Sequence, residues 1–254
     1  MTIPQSEMSK RELLHYLRHR SKRWQFGRET GRNTGYRHYQ VRYESSNDDI
    51  GRERLYWVGI ACELEPSNGW SNYELKDGDF YTSDDADLGK YRFGKLRKFQ
   101  TRLLEYLESR NDRTVGIVVD HVGGKGKTYF ARYCSLNHKA VYLHGSGTDN
   151  QVARDLYDIS ESERINAVII DCTRSENNLS ESDFWNGIEQ IKNGHLCDRR
   201  YGYREKWIRP PAVLILSNHD PDWKCLSEDR WHKFFIKEDA MYEYYKREKK
   251  VTSL

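Results

Sequence analysis

Apolar positions along the chain change their spacing from one end to the other. Between residues 9 and 23, Leu13, Leu14 and Leu17 recur at helical intervals behind Ser9 and Glu12. That S-x-x-E pair is a capping box, so the spacing predicts a helix. Residues 36–43, YRHYQVRY, alternate and are rich in aromatics, which predicts a strand. The polar stretch 45–54 reads as a loop, and the acidic, apolar-poor stretch near 82–90 reads as a boundary. A second helix is predicted over about 94–109. Beyond it come uninterrupted apolar runs at Val115–Val119, Ala167–Ile170 and Ala212–Leu216, with a weaker one at Ala140–Leu143. Such runs, separated by helical segments, predict a parallel sheet buried on both faces. The pattern therefore predicts a small α+β domain over 1–85 and an α/β domain over about 95–240.

Composition narrows the picture. At 254 residues the chain accommodates one large or two small domains. With 32% charged residues, it has no apolar run near the ~20 residues of a membrane helix. The opening MTIPQSEMSK lacks the pattern of a secretory signal, and none is expected. The five cysteines are odd in number and form no C-x-x-C, which argues against a zinc ribbon or a disulfide framework. Aromatics at 13% argue against disorder. Net charge is +3 but unevenly spread. Ten Lys/Arg face two acids between Lys10 and Arg42, whereas four face twelve between Tyr43 and Lys90. A basic stretch interleaved with aromatics suits nucleic acid. His15 and His19, one helical turn apart, read as surface histidines rather than metal ligands.

The sharpest chemical signal follows the run VGIVVD. His121-Val-Gly-Gly-Lys-Gly-Lys-Thr128 matches the phosphate-binding P-loop at Gly126, Lys127 and Thr128. His121 stands where the pattern has its first glycine, and Gly123, Gly124 and Lys125 fill the loop. Glycines let backbone N–H groups turn toward phosphate oxygens. Lys127 would meet the β/γ-phosphates and Thr128 a Mg²⁺ ion, with a helix N-terminus behind them. Val168-Ile-Ile-Asp171 is an apolar run ending in an acid, suited to holding Mg²⁺. Cys172 follows, where a second acid often stands. Leu214-Ile-Leu-Ser-Asn218 ends another apolar run, and Asn218 could sense a γ-phosphate.

In the N-terminal part, His38 and Gln40 share one face of the predicted strand, because side chains alternate along it. Imidazole and amide oxygen suit Mg²⁺ or Mn²⁺ with further oxygen ligands. Glu29 could add a carboxylate by pairing across a hairpin. Tyr73 and Lys76 lie one helical turn apart. A tyrosine is a competent nucleophile once its proton leaves and phosphate charge is neutralised.

The order His-x-Gln, Tyr-x-x-Lys, P-loop resembles the replication initiator proteins (Rep) of circular single-stranded DNA viruses, with TGYRHYQ similar to smacovirus-like members. The resemblance covers nearly the whole chain. Met1-Thr-Ile-Pro4 looks like the family's first strand motif, shortened here. Glu29, His38 and Gln40 match its metal site, and Tyr73 and Lys76 its nicking motif. GGKGKT, VIIDCTR and VLILSNHDPD look like a superfamily-3 helicase. The segment GIEQIKNGHLCDRRYGYREKWIRPP resembles its DNA-contacting hairpin, with Lys192 as a strand contact. Arg230, in LSEDRW, resembles an arginine finger acting on a neighbour's nucleotide.

The resemblance implies an α+β HUH-type endonuclease domain over 1–85, with an antiparallel sheet and flanking helices. It implies a linker and oligomerisation helix over 86–110, then an α/β P-loop helicase domain over 111–240. A basic tail, 241–254, closes the chain. The implied activity is rolling-circle initiation inside a host cell, with nicking and rejoining of single-stranded or hairpin origin DNA through a 5′-phosphotyrosine, and ATP-driven unwinding by a homo-hexameric ring. Two other functions stay open at this level: an ATP-driven single-strand translocase that does not nick, and a non-catalytic origin-binding repressor.

Overall fold

The computed structural model describes residues 1–67, 69–145, 151–160, 164–172, 179, 181–200, 202–237 and 240–245. Residues 246–254 of the predicted basic tail lie outside that set. The chain divides into two units, Met1–Lys90 and Tyr91–Leu254.

The first unit carries an antiparallel sheet of order β1-β3-β2-β4, formed by Thr2–Pro4, Ser21–Thr30, Arg37–Ser45 and Phe80–Thr82 (β1 to β4 in chain order). Helix α1, Lys10–Arg20, starts at the predicted capping box: the Glu12 amide donates to Ser9 Oγ and the Ser9 amide to Glu12 Oε2. The β2–β3 register pairs Glu29 with His38, Gly27 with Gln40 and Gln25 with Arg42. Alternation then sorts the residues into two faces. Trp24, Phe26, Tyr39 and Val41 share the face that packs with Ile3, Leu13, Leu17 and Trp57 into a core. Gln25, Gly27, Glu29, His38, Gln40 and Arg42 share the opposite, polar face.

One expectation is corrected here. The polar stretch 45–54 contains most of helix α2, Ile50–Leu55, because the Asp49 side chain caps it on the Gly51 amide. Glu53 on that helix is buried and accepts hydrogen bonds from Tyr16, Tyr43, Ser45 and Asn47. The two units divide at the end of the acidic stretch near 82–90, which is itself structured. It forms α3, Asp85–Arg92, with Asp85 and Asp87 in the first turn, where carboxylates complement the helix dipole.

The second unit is a three-layer α/β fold. Its sheet runs β12-β11-β5-β10-β7-β6. The four predicted runs are β5 (Val115–Val119), β6 (Val141–His144), β7 (Ala167–Asp171) and β10 (Ala212–Ser217), paired in parallel. Helices α4 (Lys98–Glu108) and α5 (Lys127–Leu136) cover one face. Helices α6 (Gln151–Ile159) and α7 (Ser182–Asn193) cover the other. A separate hairpin joins β8 (His195–Asp198) to β9 (Arg204–Trp207). The sheet also extends past β5. Strand β11, Trp231–Lys237, lies parallel to β5, and β12, Ala240–Tyr245, antiparallel to β11. The first residues assigned to the tail are thus a sheet edge, paired along β11.

Candidate nicking and nucleotide sites

On the polar face of the first sheet, pairing brings Glu29 opposite His38, and His38 Nε2 lies 3.6 Å from Glu29 Oε2. Gln40 lies two residues along β3, and its Oε1 accepts from Thr2 Oγ1 at 3.1 Å, so the short first strand orients the amide. Tyr73–Leu75 forms a single 3₁₀ turn above this face. The turn sits where it does because Gly27 has no side chain. A Cβ there would fall 2.1 Å from the Glu74 carbonyl oxygen. Glu74 itself is buried and anchored to the same face: Gln25 Nε2 donates to it at 2.7 Å and Arg42 Nε at 3.0 Å.

Seated this way, the turn delivers Lys76 Nζ to within 2.8 Å of Glu29 Oε2 and 3.6 Å of the Tyr73 ring centroid. Burial pulls the Lys76 ammonium down, but hydrogen bonds to Glu29 and Tyr73 outweigh it and hold it above its ordinary value. Tyr73 is 56% exposed and faces solvent. The predicted Glu29, His38, Gln40, Tyr73 and Lys76 thus share one surface. A cavity of about 750 Å³ opens beside Gln40, bordered by Arg23, Arg42, Trp70 and Glu74. Arg23 lies over the Trp70 ring at 3.9 Å.

Among the described residues, no three His, Cys, Asp or Glu side chains are grouped as metal ligands. Two acceptors of that kind plus the Gln40 amide nevertheless suit a hard divalent cation. Glu29 Oε1 is buried with no hydrogen-bond partner, a position that a cation would satisfy.

In the second unit, parallel strands bring the candidate nucleotide residues to the carboxyl ends of β5, β7 and β10, where ligands of open α/β sheets bind. Gly123, Gly124 and Gly126 take positive φ of 82°, 74° and 93°, which only glycine adopts without strain. Gly126 caps α5, and Lys125 lies between the turns, its carbonyl accepting from Arg97 Nη1. Lys127 Nζ lies 2.9 Å from Asp120 Oδ2. Thr128 Oγ1 donates to Asp171 Oδ2 at 3.1 Å, and the Tyr142 hydroxyl donates to the same oxygen at 2.9 Å. Asn218 Nδ2 donates to the Asp120 carbonyl at 2.6 Å. His121 Nε2 meets Asp220 Oδ2 at 2.7 Å, tying the loop to the segment after β10. Cys172 is buried behind Asp171.

Sequence reasoning missed Asp120, Tyr142, Glu74 and Gly27. Only Asp120 left a signal: an acid closing an apolar run just before the glycines.

Lys192 is corrected. It is 3% exposed, and its Nζ donates to the Asn111 and Pro211 carbonyls, so it is not presented to a DNA strand. Burial pulls its ammonium down to about 8. The exposed aromatics of that segment are at the hairpin, where Tyr203 and Trp207 face solvent and His195 stacks on Trp207. Arg230 Nη1 is paired with Glu189 at 3.0 Å.

No family model matches the chain. Curated proteins do. Para-Rep C3 of the milk vetch dwarf C3 alphasatellite is 31% identical over 140 residues, covering 53% of this chain and 46% of its own length. Para-Rep C7 of the faba bean necrotic yellows C7 alphasatellite is 32% identical over 141 residues, with the same coverage. The chain is similar to both over about half of its length. The master replication protein of subterranean clover stunt virus, 27% identical over 164 residues, covers 59% of this chain and 53% of its own. These relatives bear out the resemblance to Rep of circular single-stranded DNA viruses. The chain spans about half the length of the curated relatives it matches.

Proposed function

We propose that the chain initiates rolling-circle replication by nicking and rejoining single-stranded origin DNA and hydrolysing ATP to unwind it. One observation carries the reading: a single polar sheet face gathers a carboxylate, an imidazole and an amide beside a lysine and an exposed tyrosine. Glu29, His38 and Gln40 would hold Mg²⁺ or Mn²⁺, which supplies charge neutralisation at the scissile phosphate. Tyr73 Oη attacks phosphorus. The Oη–P bond forms, the P–O3′ bond breaks, and the proton lost by the phenol ends on the 3′-oxygen. The product is a 5′-phosphotyrosine and a free 3′-OH; rejoining is the reverse transfer. Lys76, at Glu29 and over the Tyr73 ring, would stabilise the negative charge that builds on the Tyr73 oxygen as its proton leaves. The cavity beside Gln40, with Arg23, Arg42 and Trp70, suits the bases and backbone of a single strand.

In the second unit, Gly123 to Thr128 would cradle the ATP phosphates and Asp171 would hold the Mg²⁺ ion, with Asn218 beside it. Tyr203 and Trp207 on the β8–β9 hairpin offer stacking surfaces to DNA. Arg230, once released from Glu189, would reach a neighbour's nucleotide in a hexameric ring. The setting is an infected host cell. Among the described residues no helix is long and apolar enough to cross a membrane.

The test is a denaturing gel of the protein with Mn²⁺ and a labelled oligonucleotide carrying the cognate origin loop, beside Tyr73→Phe. A slow, denaturant-resistant band that disappears in the variant is the expected result. DNA that is bound but neither cut nor linked would overturn the nicking role. ATP turnover lost in Lys127→Ala would then favour a translocase, and no turnover an origin-binding repressor.

A further inference from the structure

The P-loop already holds an anion, and it belongs to the chain. Asp120 follows β5 directly and is fully buried. Its Oδ1 accepts the Gly123 amide at 2.8 Å and its Oδ2 accepts Lys127 Nζ at 2.9 Å. The Lys125 amide also hydrogen-bonds to this carboxylate. These are the donors that a P-loop turns toward a phosphate: loop amides and the lysine ammonium. The main chain of Asp120 is fixed on both sides. Its amide donates to the Ser217 carbonyl at 3.1 Å, and its carbonyl accepts from Asn218. The main chain thus sets Asp120 under the loop, and the bonds to the Gly123 amide and Lys127 hold its carboxylate there. Lys127 is itself only 8% exposed.

Resting on the ATP-binding role proposed above, we propose that Asp120 is an internal phosphate surrogate, which occupies the P-loop without nucleotide and competes with the nucleotide's phosphates for Lys127. An incoming triphosphate must draw Lys127 off a buried carboxylate, so part of its interaction energy is spent on that exchange. Affinity is reduced by the fraction of time the loop is open. As the diphosphate loosens, Asp120 recaptures Lys127 and so shortens its stay. The opposite role, Asp120 as a positioning residue that aims Lys127 at the phosphates, predicts the opposite sign.

The experiment is titration of the full chain with fluorescent methylanthraniloyl-ATP and -ADP, in wild type, Asp120→Asn, Asp120→Ser and Lys127→Ala. The expected result is binding tighter by about tenfold in the neutral variants, with slower release of the diphosphate. Unchanged or weaker binding in the folded variants overturns the proposal and makes Asp120 a positioning group. Failure of both neutral variants to fold assigns it a structural role and overturns it equally. No binding by wild type, or binding that survives Lys127→Ala, instead sinks the underlying P-loop role, and is distinguishable because the wild-type titration reads it alone.

Discussion

Each unit clamps a lysine on a carboxylate at its candidate site, and the two clamps differ in what they leave over. In the first, Lys76 meets Glu29 at 2.8 Å, with the lysine side chain 37% exposed and the acid 8%. In the second, Lys127 meets Asp120 at 2.9 Å, with exposures of 8% and 0%. Glu29 keeps a buried oxygen without a partner, whereas both oxygens of Asp120 are bonded. The first site has room for one more cation. The second must surrender a cation before it can take an anion. Similar pairs at similar distances thus point to opposite ligands, and the unsatisfied atom, not the ion pair, tells them apart.

The largest test of that contrast is Glu29→Gln. Cleavage should fall at least about 100-fold, and the heat of Mn²⁺ binding in calorimetry should vanish. ATP turnover should stay, because Glu29 belongs to the first unit and the candidate nucleotide residues to the second.

Next comes Gly27→Ala. The added methyl would meet the Glu74 carbonyl, and overpacking of this kind costs about 1–3 kcal/mol. Thermal unfolding should show the loss, and strand cleavage should fall with it as Tyr73 is displaced. A variant that cleaves normally would show that the turn is not held by this contact.

Glu53 gives a pH-dependent test. Burial pushes its carboxyl up, but hydrogen bonds from Ser45, Tyr43, Asn47 and Tyr16 outweigh that and bring it down to about 2. A depressed acid stabilises the fold above its unfolded value of about 4.5, and the contribution is lost as pH falls from there through about 2. Glu53→Gln should cost about 2 kcal/mol at neutral pH and flatten this acid limb, as followed by circular dichroism.

Lys192→Met should cost about 1.5 kcal/mol by leaving two carbonyls unpaired, with single-strand affinity and its salt dependence unchanged. A changed salt slope would return Lys192 to the DNA surface. The smallest effect belongs to His121→Gly. Its pair with Asp220 is solvent-exposed, so less than about 0.5 kcal/mol should be lost in thermal unfolding.

The residues that sequence made legible and those it hid differ in physical kind. The parallel strands were readable because burial on both faces leaves an unbroken apolar run. Glu29, His38 and Gln40 were readable because one hairpin and a period of two bring them together. Gly27 and Glu74 were not, since their contact joins residues far apart in the chain and depends on a missing side chain, which no local pattern records. Lys192 misled because a lysine on an amphipathic helix resembles a solvated one until its carbonyl partners are seen. Asp120 was hidden in plain view as the end of a strand.

Arg230 has a neighbour whose use is optical. Trp231 is 1% exposed and meets Trp185 and Trp223 edge-on, at centroid separations of 5.2 and 5.1 Å. Trp185 lies one helical turn from Glu189, the partner of Arg230. If Arg230 left Glu189 for an adjoining molecule, as proposed, the surroundings of this indole cluster would change, and native ultraviolet emission would report the proposed assembly with no dye attached to the chain.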